Sequence, residues 1–267
     1  MFWNRARRDG GKSEGEPGAR PPEPAVSAPP ETSAPAPEPE PDVLTDIPRI
    51  QYKRVWDSLS DTRIRAMQYV VGSDREQDVR STAKETVQIL ARTVGFSDTQ
   101  TMLEIGCGIG RVGQALAPVC REWIGCDVSG RMLEHARARL QGVPNVRLVE
   151  LSGYDLQPID DRSIDVVYCT IVFMHLEEWE RYNYVCEAFR VLRPGGRFYV
   201  DNFTICTDEG WKIFETHRRF LPGDREPQIS KSSTPQELET YLRRAGFVDL
   251  KTRIDGALVR YWAHKPR

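Results

Sequence analysis

A chain of 267 residues holds one sizeable domain with appendages, and 37 basic against 39 acidic side chains, net charge −2, exclude a protein built mainly to coat nucleic acid. Its 6 cysteines form no C-x-x-C pair, which excludes a zinc ribbon or a dithiol redox centre, and most sit in apolar runs suited to a reducing compartment. No apolar run reaches the ~18–20 residues of a membrane span, and the start MFWNRARRDGGK lacks the apolar stretch of a secretory signal, so the expected location is cytoplasmic.

Residues 1–43 differ sharply in composition from the rest of the chain. Prolines recur among Ala, Glu and Ser from Pro17 to Pro41, a composition with almost nothing to bury that cannot offset its ordering entropy. A disordered tail is expected, the alternative being a spacer or docking arm with Phe2, Trp3, Arg5, Arg7 and Arg8 as its sticky end. Residues 44–98 read as N-terminal helices in two runs. Val55, Leu59, Ile64, Met67 and Val71 recur at helical steps, as do Ala83, Val87, Leu90 and Val94. Gly72-Ser73 separates the runs and Gly95 closes the second.

Residues 99–267 form the core. TMLEIG, REWIGCD, VRLVEL, IDVVYCTIV and RFYVDNF read as strands, alternating with helices over Arg111–Val119, Met132–Leu140 and Trp179–Leu192. Buried strands alternating with helices predict an α/β fold with a parallel sheet covered on both faces. A helix over Pro235–Ala245 then precedes FVDLKTRI and ALVRYWAHK, which the Asp255-Gly256 turn joins as an antiparallel hairpin.

The turn after the first strand, LEIGCGIGRVG, fits two fingerprints. Read from Gly108 it is G-x-G-x-x-G, which cradles a dinucleotide pyrophosphate and would make the chain an NAD-type oxidoreductase. Read from Glu104 it is E-x-G-x-G-x-G, the first motif of methyltransferases that use S-adenosylmethionine. Both readings need glycines so that ligand atoms can approach the backbone. Both also use an acid about twenty residues on for ribose hydroxyls, here Asp127 in WIGCDVS. Glu104 separates them: a carboxylate inside a strand needs a partner, which an ammonium supplies and a pyrophosphate does not. Starting the dinucleotide motif at Gly108 would also bury Gly106 in the strand end, and a terminal antiparallel hairpin is unusual in a dinucleotide domain. A third reading, a non-enzymatic adaptor working through its Pro-rich tail, is opposed by the intact set of Glu104, Gly106 and Asp127.

With LEIGCGIGR, GCDVSGRMLEHAR, DDRSIDVVYCTIVFMHL, EAFRVLRPGGRFYV and TPQELETYLRRAGF in this order, the chain from about Gln51 to His264 resembles a class I S-adenosylmethionine-dependent methyltransferase of the small-molecule type. The resemblance implies a Rossmann-like, doubly wound seven-stranded sheet in the order 3-2-1-4-5-7-6, with the last strand antiparallel and the cofactor at the carboxyl ends of the first two strands. By the same resemblance Gly106, Gly108 and Gly110 turn under the methionine portion, with Glu104 near its ammonium. Asp127 accepts the ribose hydroxyls, and Val128 and Met132 wall the adenine. Gly153 and Tyr154 stand in the loop after the third strand where many relatives place an acid. Cys169, at the mouth of the fourth strand, meets the methionine end. Arg111, which opens the helix after the turn, is a candidate partner for a carboxylate of cofactor or substrate.

His175 in FMHLEEW is the candidate general base, against a structural role capping the strand-to-helix turn. His135, His217 and His264 stand at no metal-ligand spacing, so no metal is expected. Asp208–Ser232 carries Trp211, Phe214 and Phe220 beside Lys212, Arg218, Arg219, Arg225 and Lys231, and reads as a substrate cap or a solvated amphipathic helix. CTIV rather than an N-P-P-[YF] motif follows the fourth strand, which argues against methylation of nucleic-acid bases. The expected reaction is methyl transfer to a small-molecule or glycan-type acceptor, at oxygen.

Overall fold

The computed structural model describes residues 50–226 and 228–267, and the expected Pro-rich tail, residues 1–43, lies outside them. The N-terminal segment forms α1 (Ile50–Leu59), α2 (Arg63–Val71) and α3 (Glu76–Thr93). The first apolar run is therefore two helices, not one. Ser60 Oγ donates back to the Trp56 carbonyl at 2.6 Å, and the Thr62 hydroxyl accepts from Arg65 N, so one helix ends and the next is capped within Ser60-Asp61-Thr62. Gly72 closes α2 in the left-handed region, its N–H donating to the Gln68 carbonyl.

Strands β1 (Thr101–Ile105), β2 (Glu122–Asp127), β3 (Val146–Glu150), β4 (Ile164–Cys169), β5 (Leu192–Phe203), β6 (Val248–Asp255) and β7 (Leu258–His264) make one sheet in the order β3-β2-β1-β4-β5-β7-β6. β1 to β5 pair in parallel, and β7 enters antiparallel between β5 and β6. This is the Rossmann-like order that the resemblance implies. Around it pack α4 (Arg111–Leu116), α5 (Gly130–Arg139), α6 (Glu178–Val191) and α8 (Pro235–Ala245), while α7 (Asp208–Arg218) follows β5. The helix expected to reach Val119 stops at Leu116 and continues as a 3-10 turn over Ala117–Val119, because Pro118 has no N–H to continue the ladder. Within the segment read as cap or amphipathic helix, α7 forms with Gly210 its one buried residue.

Every residue of β1 is buried, so its alternating side chains feed two cores. Leu103 and Ile105 join Ile124, Val167, Phe173, Val185 and Phe198 on the α6 and α8 face. Met102 joins Leu90, Val112, Leu133, Val166 and Tyr168 on the face of α3, α4 and α5. A slip of one residue would exchange Leu103 for Glu104 between these faces, so the register that seats the apolar residues also fixes where the carboxylate stands. A third cluster, Ala66, Met67, Val79, Ile109 and Met132, fastens the N-terminal helices to α5 and the glycine turn. Among the described residues no helix is long and apolar enough to cross a membrane.

Candidate functional site

The carboxyl ends of β1, β2 and β4 meet at one edge of the sheet, where the glycine turn leaves β1. Gly106 and Cys107 donate their N–H groups to the Cys126 carbonyl at 2.8 and 2.9 Å, which ties the turn to the end of β2. Gly106, Gly108 and Gly110 stand at φ 72, 53 and 72, conformations open to glycine and strained for side chains with a Cβ. At Gly106 a Cβ would in addition overlap Val172.

Two carboxylates flank this turn. Asp127, 8% exposed, accepts from Gly108 N at 2.7 Å on one oxygen and from Ser129 N at 2.9 Å on the other. Burial pushes it up to about 6 against the pull of these amides. Glu104, 3% exposed, accepts from Tyr168 Oη at 2.8 Å, and that oxygen accepts from Trp123 Nε1 at 2.8 Å. Burial pushes Glu104 up to about 8, opposed by the charge of Arg111. Arg111 reaches Thr86 Oγ1 at 3.1 Å and makes no ion pair with Glu104. Two desolvated acids thus stand at adjacent strand ends without a bound cation among the described residues. A ligand bearing an ammonium and a ribose diol fits that pair of acceptors, since it brings a positive charge to one acid and hydroxyl donors to the other.

The other expected residues gather around this pair to different degrees. Val128 is half-buried and lies within van der Waals reach of the position a Cβ on Gly153 would take. Tyr154 is exposed on the same loop. Cys169 is buried at the end of β4, opposite Ile105 and Val200, and burial holds its thiol well above the ordinary range, so it stays protonated. Met132 is 2% exposed and packs between Ile109 of the glycine turn and Ala66, Met67 and Val79 of the N-terminal helices.

His175 lies in a short 3-10 turn, Phe173–His175, after β4. Its Nδ1 is 2.8 Å from the Gln228 carbonyl. A carbonyl only accepts, so Nδ1 carries the proton and Nε2 the lone pair. The Trp56 indole packs edge-on against the ring at 4.9 Å between centroids. Burial pushes the imidazole down to about 4, well below the neutral range expected of a general base.

Trp56 belongs to α1, which crosses the whole site. Lys53 donates to the Val128 carbonyl and to Glu150, while Asp57 accepts from Ser129 Oγ at 2.7 Å. Farther along, Tyr52 Oη receives Lys231 Nζ at 3.0 Å. Tyr52 with Trp56, and Lys53 with Asp57, are two i,i+4 stripes on adjacent faces of one helix. From sequence alone this helix is only a lead into the domain, and those paired spacings are the signal that could have marked it as a cover. Asp201, buried on β5 with a hydrogen bond to Ile171 N, is a second residue that the motifs do not single out.

Residues 103–200 match a family model described as a methyltransferase domain. A probable S-adenosylmethionine-dependent methyltransferase of Mycolicibacterium smegmatis is 32% identical over 163 residues, 59% of this chain and 61% of the relative. A thiol S-methyltransferase of Homo sapiens is 30% identical over 142 residues, 52% of this chain and 57% of the relative. The chain thus spans a little under two thirds of these curated relatives. Haemonchus contortus phosphoethanolamine N-methyltransferase 1, solved with phosphoethanolamine and S-adenosylhomocysteine, shares the fold with TM-score 0.62 at 20% identity, over 82% of this chain and 49% of that one.

Proposed function

Because the chain belongs to the class I S-adenosylmethionine-dependent methyltransferases, we propose that it transfers a methyl group to an oxygen of a small-molecule or glycan-type acceptor in the cytoplasm. The observation that carries this reading is the pair of buried, cation-poor acids, Glu104 and Asp127, on either side of a glycine turn that leaves no room for a Cβ at Gly106. When bound, S-adenosylmethionine supplies an electrophilic methyl group on a sulfonium. Glu104 receives the ammonium and gives up the proton that burial holds on it near neutral pH. Asp127, oriented by Gly108 N and Ser129 N, keeps its remaining lone pairs for the ribose hydroxyls. The Gly153 and Val128 walls take the adenine face, and Arg111 holds a carboxylate.

In this reading His175 serves the acceptor side as a neutral imidazole whose Nε2 carries the lone pair. A base pushed down to about 4 is too weak to ionise an aliphatic alcohol well, so the proposal favours an acceptor with an acidic hydroxyl. Positioning supplies the remainder, as in-line displacement by an activated nucleophile requires little else. α1, through Trp56 and Lys53, excludes water from the reacting atoms.

The test is incubation with methyl-labelled cofactor and panels of phenols, carboxylic acids, sugars, thiols and amines. Label in an acidic hydroxyl supports the reading. Label in amines alone, or in no acceptor while the cofactor binds, would refute the assignment to oxygen.

A further inference from the structure

Ile171 stands at φ 59, a left-handed conformation that a β-branched residue holds only when its surroundings impose it. Its side chain is 36% exposed, so core packing does not impose it. A hydrogen bond does. Ile171 N donates to Asp201 Oδ1 at 2.7 Å, reaching from the loop after β4 to the neighbouring strand β5. Asp201 is 4% exposed, and its other oxygen accepts from Tyr199 Oη at 3.1 Å. Arg260 faces Asp201 in the β5–β7 register and, with Arg111, favours its charged form. The acid is therefore tied by Tyr199 on its own strand and faced by the charge of Arg260 on β7, and its other oxygen accepts the one loop amide. The next residue, Val172, leans directly over Gly106, where it fills the space that a Cβ would need.

We propose that Asp201 is a positioning residue for the cofactor site: it holds the strained Ile171 turn, which seats Val172 over Gly106 and sets the floor for the methionine end. The proposal rests on the reading of residues 106–110 as that floor. Asp201 touches no reacting atom in this scheme and acts through Ile171 and Val172. If so, relief of the strain at Ile171 removes the need for the clamp.

The test is a double-mutant cycle in the full chain with Asp201→Ala, Ile171→Gly and the double variant, plus Asp201→Asn. Asp201→Ala is expected to weaken S-adenosylmethionine binding about tenfold, the scale of one strained residue. In the Ile171→Gly background the same change is expected to alter affinity by less than about twofold. Asp201→Asn keeps an oxygen for Ile171 N and should retain most of the affinity. Equal losses in both backgrounds would mean that Asp201 is merely a buried charge, and would overturn the proposal. So would unaltered binding by Asp201→Ala.

The same cycle read by urea denaturation without ligand decides the clamp separately, and additivity there would also overturn it. Failure of the wild type to bind the cofactor, with coupling intact, would instead sink the reading of the site and the cofactor half of this proposal.

Discussion

Replacing Glu104 by glutamine should make the ligand-free protein more stable at neutral and alkaline pH while weakening its grip on the cofactor. The folded chain holds Glu104 at about 8, against an ordinary value of 4.5. Below pH 4.5 both folded and unfolded chains carry the proton, and the acid costs nothing. As pH rises toward 8 the unfolded chain releases the proton while the folded chain keeps it, so wild-type stability falls. From pH 5 to pH 8 that gap grows by 3 units, about 4 kcal/mol at ~1.36 kcal/mol per unit, or about 2 if the shift is half as large. Glutamine cannot titrate, and its amide adds a pH-independent cost of about 1–3 kcal/mol for an unmatched donor. The signature is therefore the slope of the difference between the two proteins. Asp201, pushed up to about 6 by burial, tilts both curves alike and cancels, whereas Asp127, also at about 6, raises Glu104 through its charge and so enters the difference. Urea denaturation of the two proteins at half-unit steps from pH 5 to pH 8 measures it. A flat difference would show that Glu104 is already ionised in the free protein, and the idea of an uncompensated acid would fail.

Other substitutions probe the remaining parts of the site. Asp127→Ala should weaken S-adenosylmethionine binding by about 2–3 kcal/mol through the loss of charge-assisted hydrogen bonds, and an unchanged titration would remove Asp127 from the site. Trp56→Ala should open α1 over His175, so its imidazole, near 4 in the wild type, should climb toward 6.5 in an NMR titration; no movement would show that α1 does not shield it. His175→Ala should lower the single-turnover rate by about 10²–10⁴ with cofactor affinity retained. With the cofactor kept saturating, the limb that belongs to His175 should lie at about pH 4, where the imidazole protonates. A limb near pH 6.5 that disappears in His175→Ala would contradict the burial of this ring, and an early-melting His175→Ala with normal chemistry would leave the residue a structural cap.

Much of the fold is legible along the chain because a central parallel strand must be apolar on both faces. TMLEI and IDVVYC announce themselves that way, and the glycines after β1 mark where the chain must turn. Glu104 and Asp127 are legible for the opposite reason, as acids at positions where water is absent. Asp201 is open to the same logic, being an acid inside RFYVDNF, but its purpose lies in a bond to Ile171, 30 residues away. α1 is harder still. Lys53 meets Val128 across 75 positions, and nothing local says which surface a helix will cover. His175 shows the limit most clearly: its place after β4 is readable, but its weak basicity arises from burial beneath Trp56 of α1, against the pull of the Gln228 carbonyl.

The functional reading stands or falls on whether the glycine turn and its two buried acids hold S-adenosylmethionine rather than a dinucleotide. Isothermal titration of the full chain with each ligand in turn, at pH 7 in two buffers of different ionisation enthalpy, decides between them. Saturable one-to-one binding of S-adenosylmethionine with net proton release is expected, because Glu104 must ionise to meet the ammonium, together with no binding of NAD. Binding of NAD without S-adenosylmethionine, or cofactor binding with no proton released, would contradict that reading.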